Sequence, residues 1–142
     1  MRKLKKLLAV ASVAAMTLSL CACGGKKDDT YTVGICQLVQ HEALDAATKG
    51  FKDALVEEFG EDGIKFDEQN AQGDSNTCST IINGFVSNGV DLILANATPA
   101  LQAAQAGTAE IPILGTSVTE YGVALGLKDF DGTVGGNISG TS

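Results

Sequence analysis

Cys21 and Cys23, near the amino terminus, are the residues whose spacing first suggests chemistry. Two thiols separated by one residue could bind a metal ion or exchange electrons. Either role needs further ligands at suitable spacing, but Cys36 and Cys78 stand singly in the sequence and His41 is its one histidine. The pattern therefore disfavours a metal site or a redox pair.

The segment before these cysteines indicates a different role. Residues 2–6 include four Lys or Arg, and residues 7–20 are uncharged and mostly apolar. This run is too short to span a bilayer, which needs about 20 apolar residues. The small residue Ala22 stands just before Cys23, where a signal peptidase would cut. We therefore expect residues 1–22 to be a signal peptide.

Leu20-Cys21-Ala22-Cys23 resembles the processing signal of bacterial lipoproteins. A frame ending at Cys21 would put Leu20 in the position reserved for a small residue, so Cys23 is the preferred modification site. The resemblance implies cleavage before Cys23, a diacylglyceryl thioether on its sulfur and an acyl chain such as palmitate on the new amino terminus. Two such chains anchor a protein stably, whereas one is marginal. Residues 23–30 would then form a short flexible tether.

Net charge limits the possible partners of the remaining chain. Residues 23–142 carry six Lys and seventeen Asp or Glu, which gives a net charge of −11. Nucleic acid is not an expected partner, because binding phosphates requires Lys and Arg. These 120 residues suffice for one modest domain with its own core. Within it, Cys36 and Cys78 are interpreted as small buried hydrophobic residues rather than as a disulfide.

Apolar runs and amphipathic segments alternate from Tyr31 onward. Alternating strands and helices predict an α/β fold, a Rossmann-like parallel sheet with helices on both faces and right-handed crossovers. The predicted elements are a strand at Tyr31–Val39, a helix at Glu42–Phe59, a strand at Ile64–Glu68 near an edge, a helix capped by Asp74 or Ser75 and ended by Asn88-Gly89, a strand at Val90–Ala95, a helix with Thr98 as N-cap and Pro99 at its first position, and a strand at Ile111–Gly115.

The final residues follow a different pattern. Six glycines punctuate residues 122–142, and no terminal helix is predicted there. Val123–Leu127 still carries strand-like apolar residues. We interpret this segment as a chain cut short at a hinge, with a natural flexible tail as the less favoured alternative.

Neutral polar residues follow every predicted strand. In a doubly wound sheet, ligands bind outside the carboxyl ends of the strands. The residues predicted to bind a ligand there are Gln37, Asn70, Asn96, Thr98, Ala100, Thr116 and Ser117. Amides and hydroxyls hydrogen-bond a small polar molecule without transforming it. At Thr98 the start of a helix also offers unpaired N–H groups, expected from Ala100 and Leu101, that suit a carboxylate.

Enzyme signatures are missing from the sequence. No GxGxxG motif or P-loop follows a strand, and no Ser or Cys stands in a nucleophile elbow. His41 has no evident carboxylate to orient it and is interpreted as a residue at a helix start. No helix start follows Gly135-Gly136, which disfavours a phosphate loop. The sequence predicts a protein that is not an enzyme and that carries no cofactor and no metal.

Several blocks of sequence resemble the ABC transporter substrate-binding lipoproteins of the tryptophan/tyrosine-type family. They are Gly34–His41, Leu44-Asp45, Gly50-Phe51, Asn70–Asp74, Asp91–Ala95, Ala97–Pro99 and Asn137–Gly140. The resemblance covers 31–142, although Glu120-Tyr121 replaces the usual Asp-Pro.

This resemblance implies a type I periplasmic-binding-protein fold, in which two lobes joined by crossing strands clamp a small ligand. The ligand is an aromatic amino acid in characterised members. Residues 31–142 match the first lobe only and run into the hinge. The implied location is extracytoplasmic, lipid-anchored to the bacterial cell membrane, and the implied partners are an ABC permease and its ATPase.

Two other function classes remain open at this stage. An extracytoplasmic sensing lobe could pass a ligand signal to a receptor, but such lobes are more often fused to a membrane-spanning segment. A flavodoxin-like or hydrolytic lipoprotein enzyme would need a phosphate-binding loop or a nucleophile–base pair. The sequence favours the transport receptor over both.

Overall fold

The computed structural model describes residues 30–142. Its strands are β1 (Tyr31–Gln37), β2 (Ile64–Asn70), β3 (Leu92–Asn96), β4 (Ile113–Thr116) and β5 (Ile138–Gly140), and its helices are α1 (Glu42–Phe59), α2 (Ser75–Asn88), α3 (Thr98–Gly107) and α4 (Tyr121–Ala124). The predicted signal peptide, the lipidation site Cys23 and the tether up to residue 29 lie outside the described residues.

The five strands form one parallel sheet in the order β2-β1-β3-β4-β5. From β1 the chain first adds β2 on one side and then returns to add β3 on the other. The strand order therefore reverses at β1, and the crevice between β1 and β3 is the switch point at which ligands of doubly wound sheets bind. As the sequence predicted, β2 is an edge strand.

Helices cover both faces of the sheet, which confirms the predicted fold class. Alternate residues of β1 point to opposite faces, so Val33 and Ile35 pack in one core and Cys36 in the other. The first core is covered by the half-buried face of α1. The second and larger core is built with α2 and α3 and contains Cys78, so both Cys36 and Cys78 are buried as predicted.

The helix ends follow from capping residues that are visible in the sequence. Asp74 Oδ1 accepts hydrogen bonds from the N–H groups of Asn76 (2.6 Å) and Thr77 (2.9 Å) and so caps α2. Gly89, in the left-handed conformation with φ of 66°, ends the same helix. His41 Nδ1 accepts from the N–H of Ala43 at 3.2 Å, which places His41 at a helix start as interpreted.

The prediction for the glycine-rich end of the chain was wrong in two respects. Val123 belongs to the short helix α4 rather than to a strand-like segment, because the Glu120 carboxylate accepts two N–H groups and starts a helical turn. Strand β5 was not predicted. Its three residues pair with β4, and Asn137 Nδ2 anchors its start on the carbonyls of Thr108 and Ile111.

No helix within residues 30–142 is long and apolar enough to cross a membrane.

Candidate ligand-binding site

The carboxyl ends of four strands line up at one edge of the sheet. Gln37 is in register with Asn70 of β2 on one side and with Asn96 of β3 on the other, and Asn96 is in register with Thr116 of β4. Neighbouring strands lie about 4.8 Å apart, so these four polar residues form a row about 14 Å long. We call Asn70, Gln37, Asn96 and Thr116 the polar row.

Within this row, the Gln37 side chain faces inward and is 5% exposed. Its Nε2 donates to Asp45 Oδ1 (2.6 Å) and to the carbonyl of Val39 (2.9 Å), and its Oε1 accepts from the Thr48 hydroxyl (2.7 Å). The Gln37 amide therefore holds the start of α1 rather than facing solvent.

Asn96 is fully buried on the same side of the sheet. Its Nδ2 donates to the carbonyl of Leu44 (2.8 Å) and to Thr48 Oγ1 (2.9 Å). Its Oδ1 has no hydrogen-bond partner among the described residues. Gln37, Thr48 and Asn96 thus form a buried polar chain that fixes the first turns of α1 to β1 and β3.

Thr48 was missed by the sequence reasoning, although a signal was present. It lies four residues after Leu44 and three before Phe51, on the apolar face of α1. A hydroxyl on such a face must find a buried partner, because an unpaired polar group is costly inside a core. Its partners are the Gln37 and Asn96 amides of the polar row.

The backbone beyond the polar row is conformationally unusual. Gln72, Ala97 and Ser117 follow β2, β3 and β4 and have positive φ values of 54°, 94° and 56°. Residues other than glycine rarely adopt such values, and strained residues cluster at functional sites. Ser117 is exposed, and Thr116 and Thr98 are half-buried. Asn70 is also exposed and accepts a hydrogen bond from the Gln72 N–H at 2.8 Å.

The start of α3 differs from the prediction that Thr98 is the N-cap. Ala97 occupies that position, and no side chain caps the helix. The N–H of Ala97 bonds to the carbonyl of Thr116 at 3.0 Å, which keeps Ala97 in line with the sheet, so helical geometry begins only at Thr98. Pro99 accordingly follows as the second helical residue.

The backbone donors at this helix end also differ in part from expectation. The N–H of Leu101 bonds to the carbonyl of Ala97 at 3.1 Å and is not available. The N–H groups of Thr98 and Ala100 make no hydrogen bond to another residue in the range 30–142. Ala100 is fully buried, backbone included, so its N–H is covered in this structure, whereas Thr98 is half-buried. These donors lie at the positive end of the helix dipole.

Helix α1 separates two hollows beside the polar row. One, of about 640 Å³, lies between α1 and β2 and is lined by Gln37, Thr48 and Asn70 together with the ion-paired Lys52 and Glu68. The other, of about 200 Å³, includes Thr116 in its wall. The structure therefore brings the predicted residues to one edge but does not gather them around one hollow.

This arrangement can bind a small polar molecule. It offers amide, hydroxyl and backbone N–H groups. Within the part of the chain that the structure describes, no three His, Cys, Asp or Glu side chains come together as metal ligands would.

Comparison with known proteins places the chain in a family. Residues 32–142 match the family described as ABC transporter substrate binding protein. A curated relative, the tyrosine-binding protein of Clostridioides difficile, is 49% identical over 112 residues. That match covers 78% of this chain but 32% of the relative, so the chain spans about a third of the relative's length.

Solved structures agree with the sequence match. The ligand-free, open structure of a substrate-binding protein with adhesive properties from Clostridium difficile superposes with a TM-score of 0.72 at 46% identity, covering 80% of this chain and 39% of that one. A Streptococcus pneumoniae protein solved in complex with L-Trp gives a TM-score of 0.71 at 34% identity, covering 78% and 38%. By sequence and by fold, the chain belongs to the family of ABC transporter substrate-binding proteins.

Proposed function

We propose that residues 31–142 are the amino-terminal ligand-binding lobe of an extracytoplasmic receptor that serves an ABC importer. The observation that carries this proposal is the start of α3. The half-buried Thr98 lies there beside the polar row, next to the strained Ala97, and its hydroxyl and its N–H make no hydrogen bond within residues 30–142. Helix N-termini of this kind bind carboxylates.

The proposed ligand is an amino acid, and an aromatic one. Its α-carboxylate would accept hydrogen bonds from the hydroxyl and from the backbone N–H of Thr98. Asn70 and Ser117 are exposed at neighbouring strand ends and would bind its other polar groups. Two similar proteins support the aromatic class, since one is named for tyrosine and the other was solved with L-Trp. Gln37 and Asn96 would act indirectly, by holding α1 in place.

The rest of the receptor would complete the site. The chain spans about a third of its curated relative, so a second lobe would close over the ligand from beyond residue 142. Hinge closure of this kind buries a small molecule between two lobes. The loaded receptor would deliver its ligand to a membrane permease, and a cytoplasmic ATPase would supply the energy.

The site is tested on the full-length protein by measuring the binding of ligands with and without an α-carboxylate. Thr98→Ala should weaken L-tyrosine binding about ten- to a hundredfold, since a hydrogen bond to a charged group contributes about 1.5–3 kcal/mol. Tyrosinamide, which lacks the carboxylate, should bind wild type and Thr98→Ala almost equally. Thr80→Ala, on the exposed surface of α2, is the matched control and should bind both ligands like wild type. Equal losses for L-tyrosine and tyrosinamide in Thr98→Ala would contradict the proposal.

Membrane anchoring is a separate part of the proposal. Residues 1–22 would be removed, Cys23 would carry the lipid, and residues 23–30 would tether the lobe to the membrane. Mass spectrometry of the membrane-extracted protein should find the acyl mass on Cys23. Cys23→Ser should release the protein or leave an uncleaved precursor, while the matched variant Cys21→Ser is processed normally. The reverse result would exclude Cys23 as the site.

A further inference from the structure

Two buried cysteines outside the candidate site lie against each other. Cys36 is the next-to-last residue of β1, and Cys78 lies in the first turn of α2. Both side chains are fully buried in the same core, and each thiol is near enough to influence the pKa of the other. Both are free cysteines in this structure.

The packing around this pair brings α2 unusually close to β1. Gly34 precedes Cys36 by two residues and faces the same helix. A Cβ atom added to Gly34 would lie 2.6 Å from the ring of Phe85, so the helix occupies the space that a side chain would need. Two small residues on one strand face, Gly34 and Cys36, thus allow the close approach. A disulfide requires a close approach of the two elements that it joins, because it holds its Cα atoms about 4.4–6.8 Å apart.

We propose that Cys36 and Cys78 form a disulfide in the exported protein. The oxidant is an external disulfide of the oxidising extracytoplasmic compartment, either a small molecule or a protein. One thiolate attacks this disulfide and releases a thiol, and the second cysteine then attacks the mixed disulfide and releases another. Two electrons pass from the two cysteine sulfurs to the oxidant, and their two protons end on the released thiols. The proposal rests on the extracytoplasmic location given under the proposed function.

The bond forms while the chain is still folding. Burial raises the pKa of the Cys36 thiol and of the Cys78 thiol above their ordinary values. The thiolate is the attacking species, so the folded protein exchanges its thiols slowly. Before α2 docks on β1 both thiols are accessible and reactive. Once formed, the bond is shielded from reductants by the same burial that protects the thiols.

Peptide mapping of the exported protein, isolated from its own cells, tests this inference. Free thiols are alkylated in denaturant at the moment of lysis, and the protein is then digested with trypsin. Cys36 lies in the peptide of residues 28–49 and Cys78 in that of residues 66–128. We expect the two peptides to be joined, to lack the alkyl label and to separate on reduction. Without denaturant, the bond should resist reduction.

Two variants serve as controls for the pairing. Cys36→Ser and Cys78→Ser should each leave the remaining cysteine fully labelled, with no linked peptide. Full labelling of both Cys36 and Cys78 in the exported wild-type protein would overturn the proposal, and so would a link from either one to Cys21 or Cys23. Cell fractionation and L-tyrosine binding are measured on the same preparation. Failure of the proposed location or of the proposed ligand is therefore distinguished from the absence of the disulfide.

Discussion

Thr98 and Asp74 both lie where the chain passes from the end of a strand into a helix, but their side chains have different roles. Asp74 accepts two backbone N–H groups at the start of α2. The Thr98 side chain makes no hydrogen bond within residues 30–142, and the unassisted Ala97 takes the cap position of α3. A cap side chain stabilises the protein, whereas an uncommitted hydroxyl at a helix start is available to a ligand.

This difference predicts that Asp74→Ala destabilises the protein more than Thr98→Ala does. Asp74→Ala should lower the free energy of unfolding by about 1 kcal/mol, because two N–H groups lose their acceptor. Thr98→Ala should change it by less than about 0.5 kcal/mol, as surface substitutions do. Urea unfolding of the full-length protein measures both. A loss of about 1 kcal/mol in Thr98→Ala would mean that its hydroxyl is a structural cap after all.

The buried polar chain gives a second prediction for a single residue. Thr48→Val keeps the shape of the side chain but leaves Gln37 Oε1 and Asn96 Nδ2 without their shared partner. The free energy of unfolding should fall by about 1–3 kcal/mol, the cost of an unsatisfied buried polar group. Thr80→Val is the control, since its hydroxyl bonds only the Asn76 carbonyl on an exposed face. Equal unfolding midpoints for the two variants would contradict the prediction.

At the level of secondary-structure elements, β1 and α2 can pack closely because Gly34 has no side chain. Gly34→Ala places a methyl group against the Phe85 ring and should cost about 1–3 kcal/mol, as overpacking of a core does. The matched substitution Gly50→Ala lies in α1, where no atom comes within 4 Å of the new Cβ. It should stabilise the protein by about 0.5–1 kcal/mol, because alanine favours a helix. Thermal unfolding should shift in opposite directions, and a shared direction would refute the argument.

Sequence periodicity predicted the larger elements because their signals are local. Helix α1 has the predicted bounds, Glu42–Phe59, and β1 and β2 start at the predicted residues Tyr31 and Ile64. Strand β5 could not be predicted, because it is held by pairing with β4 and by hydrogen bonds from Asn137 to the carbonyls of Thr108 and Ile111, and these partners lie far away in sequence.

The candidate site was predictable only in part, for a similar reason. Parallel topology fixes which residues reach the carboxyl edge, so the polar row follows from the strand order. Whether an amide in that row faces a ligand or a neighbouring helix depends on packing. Gln37 and Asn96 turn inward because Thr48 lies opposite them on α1. The positive φ of Ala97 has no signature in the sequence, since alanine gives no hint of it.

For the molecule as a whole, the open edge of the sheet limits what one lobe can do. The donors of Thr98 face no second lobe within residues 30–142. Under the proposed function, a protein made of residues 31–142 alone should therefore bind L-tyrosine at least about a hundredfold more weakly than the full-length protein, because it cannot enclose the ligand or exclude water from the polar contacts. Calorimetry on both proteins measures this. Equal affinities would show that one lobe suffices.

The central place of β1 in the sheet has a consequence for biosynthesis. Tyr31 pairs with Ile64, 33 positions later, but the first partner on the other side of β1, Leu92, pairs with Val33 across 59 positions. The ribosome completes β2 at Asn70 and reaches Leu92 22 residues afterwards, an interval of about one to four seconds at roughly 5–20 residues per second. During that interval one side of β1 has no strand to pair with. A chaperone that holds unpaired strands has this window in which to keep the nascent chain from aggregating.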